Sequence, residues 1–335
     1  MYILTIDSGT TNSRVHLIDL ESSELIDVIK KRVGVRNTAI DGTTKALSEG
    51  LSAAIEEILT KNTCTTADIA YIVATGMITS NLGILEVPHI PSPGSIDDFV
   101  NGSVVEKLPE FFDVPCIFVP GLKNNVSDTE TDSLFDHINY FDVMRGEEVE
   151  AFGLKKQLGL QGKGLFVLPG SHTKYVMMDN EQITSCLSTL GGEMVYAVQK
   201  ETILSSSLND DLVSEADRNL LLEGFKSGNK FGLTRSFYHI RLLQLFEEMN
   251  ENQRANYFLG SILSADIQAL KNTYEELDVA WIVVGGSNPL RKAFIHVLEY
   301  MNFAQVIEAN DEHVQLSTII GAKMLGEKRM VDTNH

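Results

Sequence analysis

The chain has 335 residues with 46 acidic against 27 basic side chains, a formal net charge of −19. That balance disfavours non-specific nucleic-acid binding but leaves room for a small anion held by local amides and one or two cations. Apolar residues make up 43% and charged residues 22%, the mix of a soluble globular protein long enough for two lobes without disulfide help.

Residues 2–20 read as a β-rich run, a turn rich in Gly, Ser, Thr and Asn, and a second β-rich run ending at Asp19. The opening segment lacks a basic n-region, and no stretch approaches the roughly 18 apolar residues of a membrane span, so neither secretion nor membrane insertion is expected. Leu47, Leu51, Ala54, Ile55 and Ile58 make the apolar stripe of a helix. Tyr71–Gly76 reads as a buried strand running into glycine. The segment from Pro88 to Pro93 cannot be a regular helix or central strand and is expected to wrap the first lobe. Met144-Arg-Gly-Glu-Glu148 opens an apolar-periodic stretch containing Val149, Phe152, Gly153 and Leu158. Cys64, Cys116 and Cys186 are widely spaced, with no CxxC pair or clustered His. Neither a disulfide framework nor a zinc site is expected, and a reducing cytoplasm is the expected location.

Residues 164–179 repeat the plan of 2–20, with Gly170-Ser171 lying over Gly9-Thr10 and Lys174 over Arg14. Trp281–Gly285 repeats Tyr71–Gly76 in the same order, with extra residues between the landmarks placed in the helix-like stretch 194–250. A last apolar stripe, Leu316, Ile319, Ile320 and Met324, starts near Asn310 and Asp311 and is expected to end at Gly326. The pattern predicts a duplicated α/β protein with a ligand cleft: an N-terminal lobe over 1–143, a C-terminal lobe over 144–313, and a helix over 314–326 packing back on the first lobe.

Asp7 ends a strand and is followed directly by a small, hydroxyl-rich turn. Such a turn can aim Gly9, Thr10, Thr11 and Asn12 donors at a phosphate while Asp7 holds a hydrated magnesium ion. The second turn, Gly170, Ser171, His172, Thr173 and Lys174, would clamp the same polyphosphate from the other side, His172 being either a phosphate contact or a solvated loop residue. GxxxxGK[ST] is absent, so a P-loop is excluded, and no GxGxxG after a strand supports a dinucleotide fold. Acids in a first helical turn complement the macrodipole without any catalysis. For Glu147 and Glu148 that reading suffices on the residues alone, although chemistry on a hydroxyl would need a carboxylate at the acceptor.

Two hairpin turns, duplicated lobes and the later Gly285-Gly286-Ser287 element resemble the actin-like ATPase and sugar-kinase superfamily, whose two phosphate loops and adenosine loop they would be. Within it the chain resembles the 2-dehydro-3-deoxygalactonokinases: the DxGxTNxR-like opening from Asp7 to Arg14; Gly76-Met77 with Ser80-Asn81 and Gly83; Val119-Pro-Gly-Leu122; Met144 to Glu148; and Pro169 to Lys174. Ser8 departs from a bulky aromatic position, and 200–250 carries no matching motif.

The resemblance implies ATP- and Mg2+-dependent phosphorylation of the terminal hydroxyl of 2-dehydro-3-deoxy-D-galactonate, in galactonate breakdown. It also implies the duplicated actin-like fold, with Asp7 ordering the metal, Arg14 or Lys174 offsetting charge, and Glu147 or Glu148 as the base. On the acceptor side, Met77, Ser80 and Asn81 would line the site and Arg145 would grip the sugar-acid carboxylate, a role its fork suits, unless it only braces the lobe junction. Another acceptor on the same fold, or a non-catalytic actin-like filament or chaperone protein, stays open at this stage. So does the oligomeric state, a homodimer included.

Overall fold

The computed structural model describes residues 1–126, 133–274 and 277–333. The first half runs β1 (Tyr2–Ser8), β2 (Ser13–Asp19), β3 (Leu25–Lys31), α1 (Val35–Asp41), α2 (Lys45–Lys61) and β4 (Ile69–Gly76). It continues through β5 (Ile90–Pro91), β6 (Gly94–Ser95), α3 (Ile96–Gly102), β7 (Val104–Lys107), β8 (Pro115–Phe118) and β9 (Leu122–Lys123). Then α4 (Leu134–Ile138) and β10 (Val143–Met144) lead into α5 (Glu147–Leu158). The second half runs β11 (Lys163–Leu168), β12 (Thr173–Asp179), β13 (Gln182–Thr189), α6 (Gly191–Glu201), α7 (Arg218–Phe231), α8 (Leu233–Phe246) and α9 (Glu251–Thr273). It closes with β14 (Trp281–Val284), α10 (Leu290–Met301), β15 (Gln305–Glu308) and α11 (Asp311–Thr333).

Two six-stranded sheets carry the same plan. The first is ordered β3-β2-β1-β4-β8-β7 and the second, read from its far edge, β6-β13-β12-β11-β14-β15. In each, an antiparallel three-strand meander is followed by two parallel strands. The two hairpin turns therefore occupy equivalent corners, and β4 and β14 are equivalent strands. Between meander and parallel strand the first half has two helices and the second has four, α6 to α9, so the extra residues lie in the stretch where the spacing put them.

β1 and β4 are buried along nearly their whole length, as parallel strands covered on both faces must be. One apolar cluster packs α2 on the outer face of the first sheet, around Leu47, Leu51 and Ile55. Another covers the second sheet with α7, α9 and α10. A third joins the halves: Ile3, Val73 and Ile117 from the first sheet, Phe152 and Ile319 from α5 and α11, and Phe166, Val176 and Val283 from the second sheet. Each such fully buried side chain contributes about 1.5–3 kcal/mol relative to exposure, so the junction is a core and not a linker. At the α5–α11 crossing a Cβ on Gly153 would fall 1.8 Å from the Ser317 carbonyl oxygen, so the two backbones touch there.

Two sequence expectations change. The last helix does not stop at Gly326 but runs to Thr333; Gly326 faces Tyr71 and Val73, where a missing side chain lets α11 lie on β4. The segment after Pro88 does more than wrap the first lobe, because β5 joins a small sheet with β9 and β10 and β6 pairs with β13 of the second sheet. Among the described residues no helix is long and apolar enough to cross a membrane.

Candidate active site

The first turn is built by short-range polar closure. Gly9 N–H donates to the Asn12 carbonyl at 2.9 Å, and the buried hydroxyls of Ser8 and Ser13 meet at 2.8 Å beneath it. Arg36 N–H donates to the Thr10 carbonyl at 2.9 Å, so the turn's carbonyl is committed to α1 while the Thr10, Thr11 and Asn12 side chains stand exposed. Small Ser8 serves this closure; its carbonyl leaves only 2.6 Å to a Cβ at Gly76, which draws the end of β4 against the turn. Asp7 and Arg14 are cross-strand neighbours with a 3.0 Å ion pair. Burial raises the Asp7 pKa, and the Arg14 charge offsets that only in part.

In the second turn Gly170, Ser171 and His172 are exposed, whereas Thr173 and Lys174 are buried. Lys174 does not join the exposed residues of the turn: its ammonium donates to Ser188 Oγ at 2.6 Å and to the Val143 carbonyl at 3.0 Å, pinning β12 to β13 and β10. Thr173 faces the buried carboxyl of Asp266. His172 Nε2 lies 3.2 Å from Glu193 Oε1 on a half-exposed surface. The third element follows β14. Gly286 has φ of 69° and abuts the Pro169 carbonyl, 2.6 Å from where its Cβ would be, and Arg291 Nη1 donates to the Gly286 carbonyl at 2.9 Å.

A cavity of about 420 Å³ lies between Asp7, Arg14 and Lys30 from the first half and Glu150, Gly286 and Ser287 from the second. Its size is that of a small-ligand pocket. Thr10–Asn12 and Gly170–His172 are not part of its lining. A larger cavity of about 620 Å³, lined by Ile96, Met324 and Val331 among others, contains none of the motif residues.

The N-terminus of α5 concentrates carboxylates. Gly146, with φ of 113°, precedes it and allows Glu147 and Glu148 to turn back on their own backbone: Glu147 Oε2 accepts from Arg145 N–H at 3.1 Å, and Glu148 Oε1 from Gly146 N–H at 2.8 Å. Glu148 is buried, its Oε2 has no partner, and burial, helped by Glu147, pushes its pKa up to about 8. Glu147 is half-buried. One turn on, Glu150 was missed by sequence reading. Its i, i+3 spacing from Glu147 was the available signal. Its Oε1 is 3.4 Å from the Cβ position of Gly285, and burial, then the charges of Glu147 and Asp7, push its pKa to about 8.

Arg145 has its guanidinium spread over the turn after β4. Nη1 donates to the Thr79 carbonyl and hydroxyl at 2.8 and 2.6 Å, and Nη2 to the Val87 carbonyl at 2.9 Å. Nη2 also lies 3.2 Å from the ring nitrogens of His89, whose pKa falls to about 4 through burial and the Arg145 and Lys123 charges. No sequence signal singled out His89. The brace is to carbonyls and imidazole rather than to acids. Ser80 Oγ is likewise occupied, donating to the Met77 carbonyl at 2.7 Å, while Asn81 is exposed and Met77 half-buried.

The model of the family described as 2-keto-3-deoxy-galactonokinase matches residues 7–319. The 2-dehydro-3-deoxygalactonokinase of Escherichia coli (strain K12) is 22% identical over 285 residues, 85% of each chain. A Sinorhizobium meliloti crystal structure described as a candidate 2-dehydro-3-deoxygalactonokinase superposes with a TM-score of 0.73 at 20% identity, over 98% of this chain and 99% of that one. The activator of the 2-hydroxyisocaproyl-CoA dehydratase from Clostridium difficile, with bound ADPNP, gives 0.52 at 12% identity over 100% and 97%. These likenesses establish the two-lobe actin-like α/β fold, and with the family match over nearly the whole chain they identify this protein as a kinase belonging to the 2-keto-3-deoxy-galactonokinase family.

Proposed function

We propose that the enzyme transfers the γ-phosphoryl group of ATP to the terminal hydroxyl of 2-dehydro-3-deoxy-D-galactonate, giving the 6-phosphate in galactonate breakdown. The observation that carries the reading is the seat of Glu147: the start of α5 lies against Gly76, between the Asp7 turn and the Met77–Asn81 turn. A carboxylate there stands between a phosphate donor and a hydroxyl acceptor. The substrate named for the relatives and the ADPNP of the dehydratase activator support the two ligands.

In this reading Gly9 to Asn12 and Gly170 to His172 receive the phosphates from two lobes, 1–143 and 144–313, that close on them. Gly285, Gly286 and Ser287 receive the adenosine, and Arg14 offsets charge. The donor set fits Mg2+: Asp7 and Glu150 line one cavity as two oxygen-ligand acids whose pKa values burial raises, and a divalent cation relieves that frustration. The metal, when bound, would neutralise phosphate oxygens. Glu147, with one oxygen free of its backbone bond, orients the hydroxyl and takes its proton. Glu148 is held protonated near neutral pH and serves the turn. Arg145 shapes the acceptor wall, with Met77 and Asn81 toward the sugar acid. Positioning and charge stabilisation supply most of the rate.

The test is a coupled ADP-release screen with ATP and Mg2+ over 2-keto-3-deoxy sugar acids and common hexoses, with the product's phosphate position read by NMR. Turnover on 2-dehydro-3-deoxy-D-galactonate well above all others is the expected result. A preference for another acceptor would move the substrate, and nucleotide-dependent sedimentation without phosphorylated product would replace the reading by a filament or chaperone one.

A further inference from the structure

Behind the second phosphate turn lies a buried acid that the proposed chemistry does not use. Asp266 on α9 is 6% exposed, and its Oδ2 has no hydrogen-bond partner. The hydroxyls of Thr189 and Thr173 face it and lower its pKa, but burial outweighs them and raises it to about 6. Tyr175 beside it is fully buried and its phenol is pushed well up by burial and by Asp266.

The carboxyl stands at the start of α6. A Cβ on Gly191, the first residue of that helix, would fall 2.5 Å from Asp266 Oδ2. The preceding residue, Leu190, gives α6 no side-chain cap, and an anion at a helix N-terminus is favourable. The same helical turn backs the phosphate turn by direct backbone contact: a Cβ on Gly192 would fall 1.9 Å from the Gly170 carbonyl oxygen, and Glu193 N–H donates to the Ser171 carbonyl at 2.9 Å. The same acid thus abuts the start of the helix that backs the turn and neighbours Thr173, where the turn re-enters β12.

We propose that Asp266 is the positioning residue of the second phosphate turn: it fixes Thr173, where the turn re-enters β12, and Gly191, where the backing helix begins, and so sets the amides of Gly170 and Ser171. The inference rests on the nucleotide reading above. A loosened turn would weaken the triphosphate while leaving the acceptor side, held by Arg145 and the 76–81 turn, as it was.

The test compares wild type with Asp266→Ala, Asp266→Asn and Gly191→Ala. It reads calorimetric binding of a non-hydrolysable ATP analogue with Mg2+, both Michaelis constants, and melting temperature. Asp266→Ala should weaken the analogue and raise the KM for ATP at least fivefold with the acceptor KM within twofold, and Asp266→Asn, which keeps an oxygen toward Thr173, should recover part of the loss. Gly191→Ala should copy the defect, and the double Asp266→Ala/Gly191→Ala protein should be less impaired than Gly191→Ala alone, since the space its Cβ needs has been cleared. If Asp266→Ala does not fold, the other two single variants decide. Unchanged analogue binding in the folded variants, or both KM values rising together with a lost melting temperature, would overturn the positioning role. A wild-type protein that binds no nucleotide would overturn the nucleotide reading and this inference with it.

Discussion

Gly146 packs on the Cα of Gly76, so closely that a Cβ at 146 would lie 3.2 Å from it. The contact joins the end of β4, where the Met77–Asn81 turn begins, to the start of α5, where the acids are. Of the two neighbouring glutamates, only Glu147 combines partial exposure with an oxygen left free. Glu147→Gln should therefore lower kcat by about 10²–10⁴, the usual contribution of a general base, with acceptor KM within a few-fold and an unchanged melting temperature. Near-normal turnover in that variant would refute a base at this position.

Asp7 makes a second, separable prediction. Burial raises its pKa and the Arg14 charge offsets that only in part, so the fold does not favour its ionised form. Asp7→Asn should keep or slightly raise the melting temperature while kcat falls at least about a hundredfold, in the range seen when one electrostatic stabiliser is removed. The Mg2+ concentration needed for half-maximal rate should also rise. A magnesium titration of the rate beside a thermal melt checks it, and an unchanged titration would take Asp7 out of the metal's reach.

Much of the frame was legible because it is written in local chemistry. The two hairpins are β-rich runs broken by Gly, Ser, Thr and Asn, and their repetition exposed the duplication before any contact was known. What escaped depends on tertiary direction. Lys174 follows a glycine-rich turn just as Arg14 does, but its ammonium is taken up by Ser188 and the Val143 carbonyl, whereas Arg14 pairs with Asp7. Asp266 lies in the middle of a helix buried nearly all round, where an isolated acid gives no periodic signal. Glu150 could have been found, since Glu147 and Glu150 share a helical face, but the stretch read first as an apolar-periodic one.

Arg145 tests the acceptor wall. Its fork reaches two carbonyls on different turns, Thr79 and Val87, and one ammonium cannot hold both in the same geometry. Arg145→Lys should lower the melting temperature by a few degrees and raise the acceptor KM, while the KM for ATP stays nearly constant. A raised acceptor KM with no loss of melting temperature would instead point to direct contact with the sugar acid. Equal changes in both KM values would mean that the brace serves the whole cleft.

The last prediction concerns pH and stability. Burial raises the Glu148 pKa from the usual glutamate value of 4.5 to about 8, so between those values the folded protein keeps a proton that the unfolded chain has released. Stability then falls as pH rises through the window, because the native state binds more protons than the unfolded one. The slope from one such group is at most about 1.4 kcal/mol per pH unit. It vanishes below pH 4.5, where both states are protonated, and above pH 8, where both are ionised. Glu150, raised to about 8 by burial, Glu147 and Asp7, adds in the same direction. Denaturant unfolding of the wild type from pH 5 to 9 should show the decline, and Glu148→Gln, which cannot ionise, should flatten it by up to one proton's worth while leaving the Glu150 part. Because any fixed effect of the amide on packing shifts the whole curve without changing its slope, the difference between variant and wild type must grow in favour of the variant as pH rises toward 8. A difference constant across the window would mean that Glu148 is ionised in the fold at pH 5, and the assignment of the base to Glu147 on grounds of protonation would lose its support.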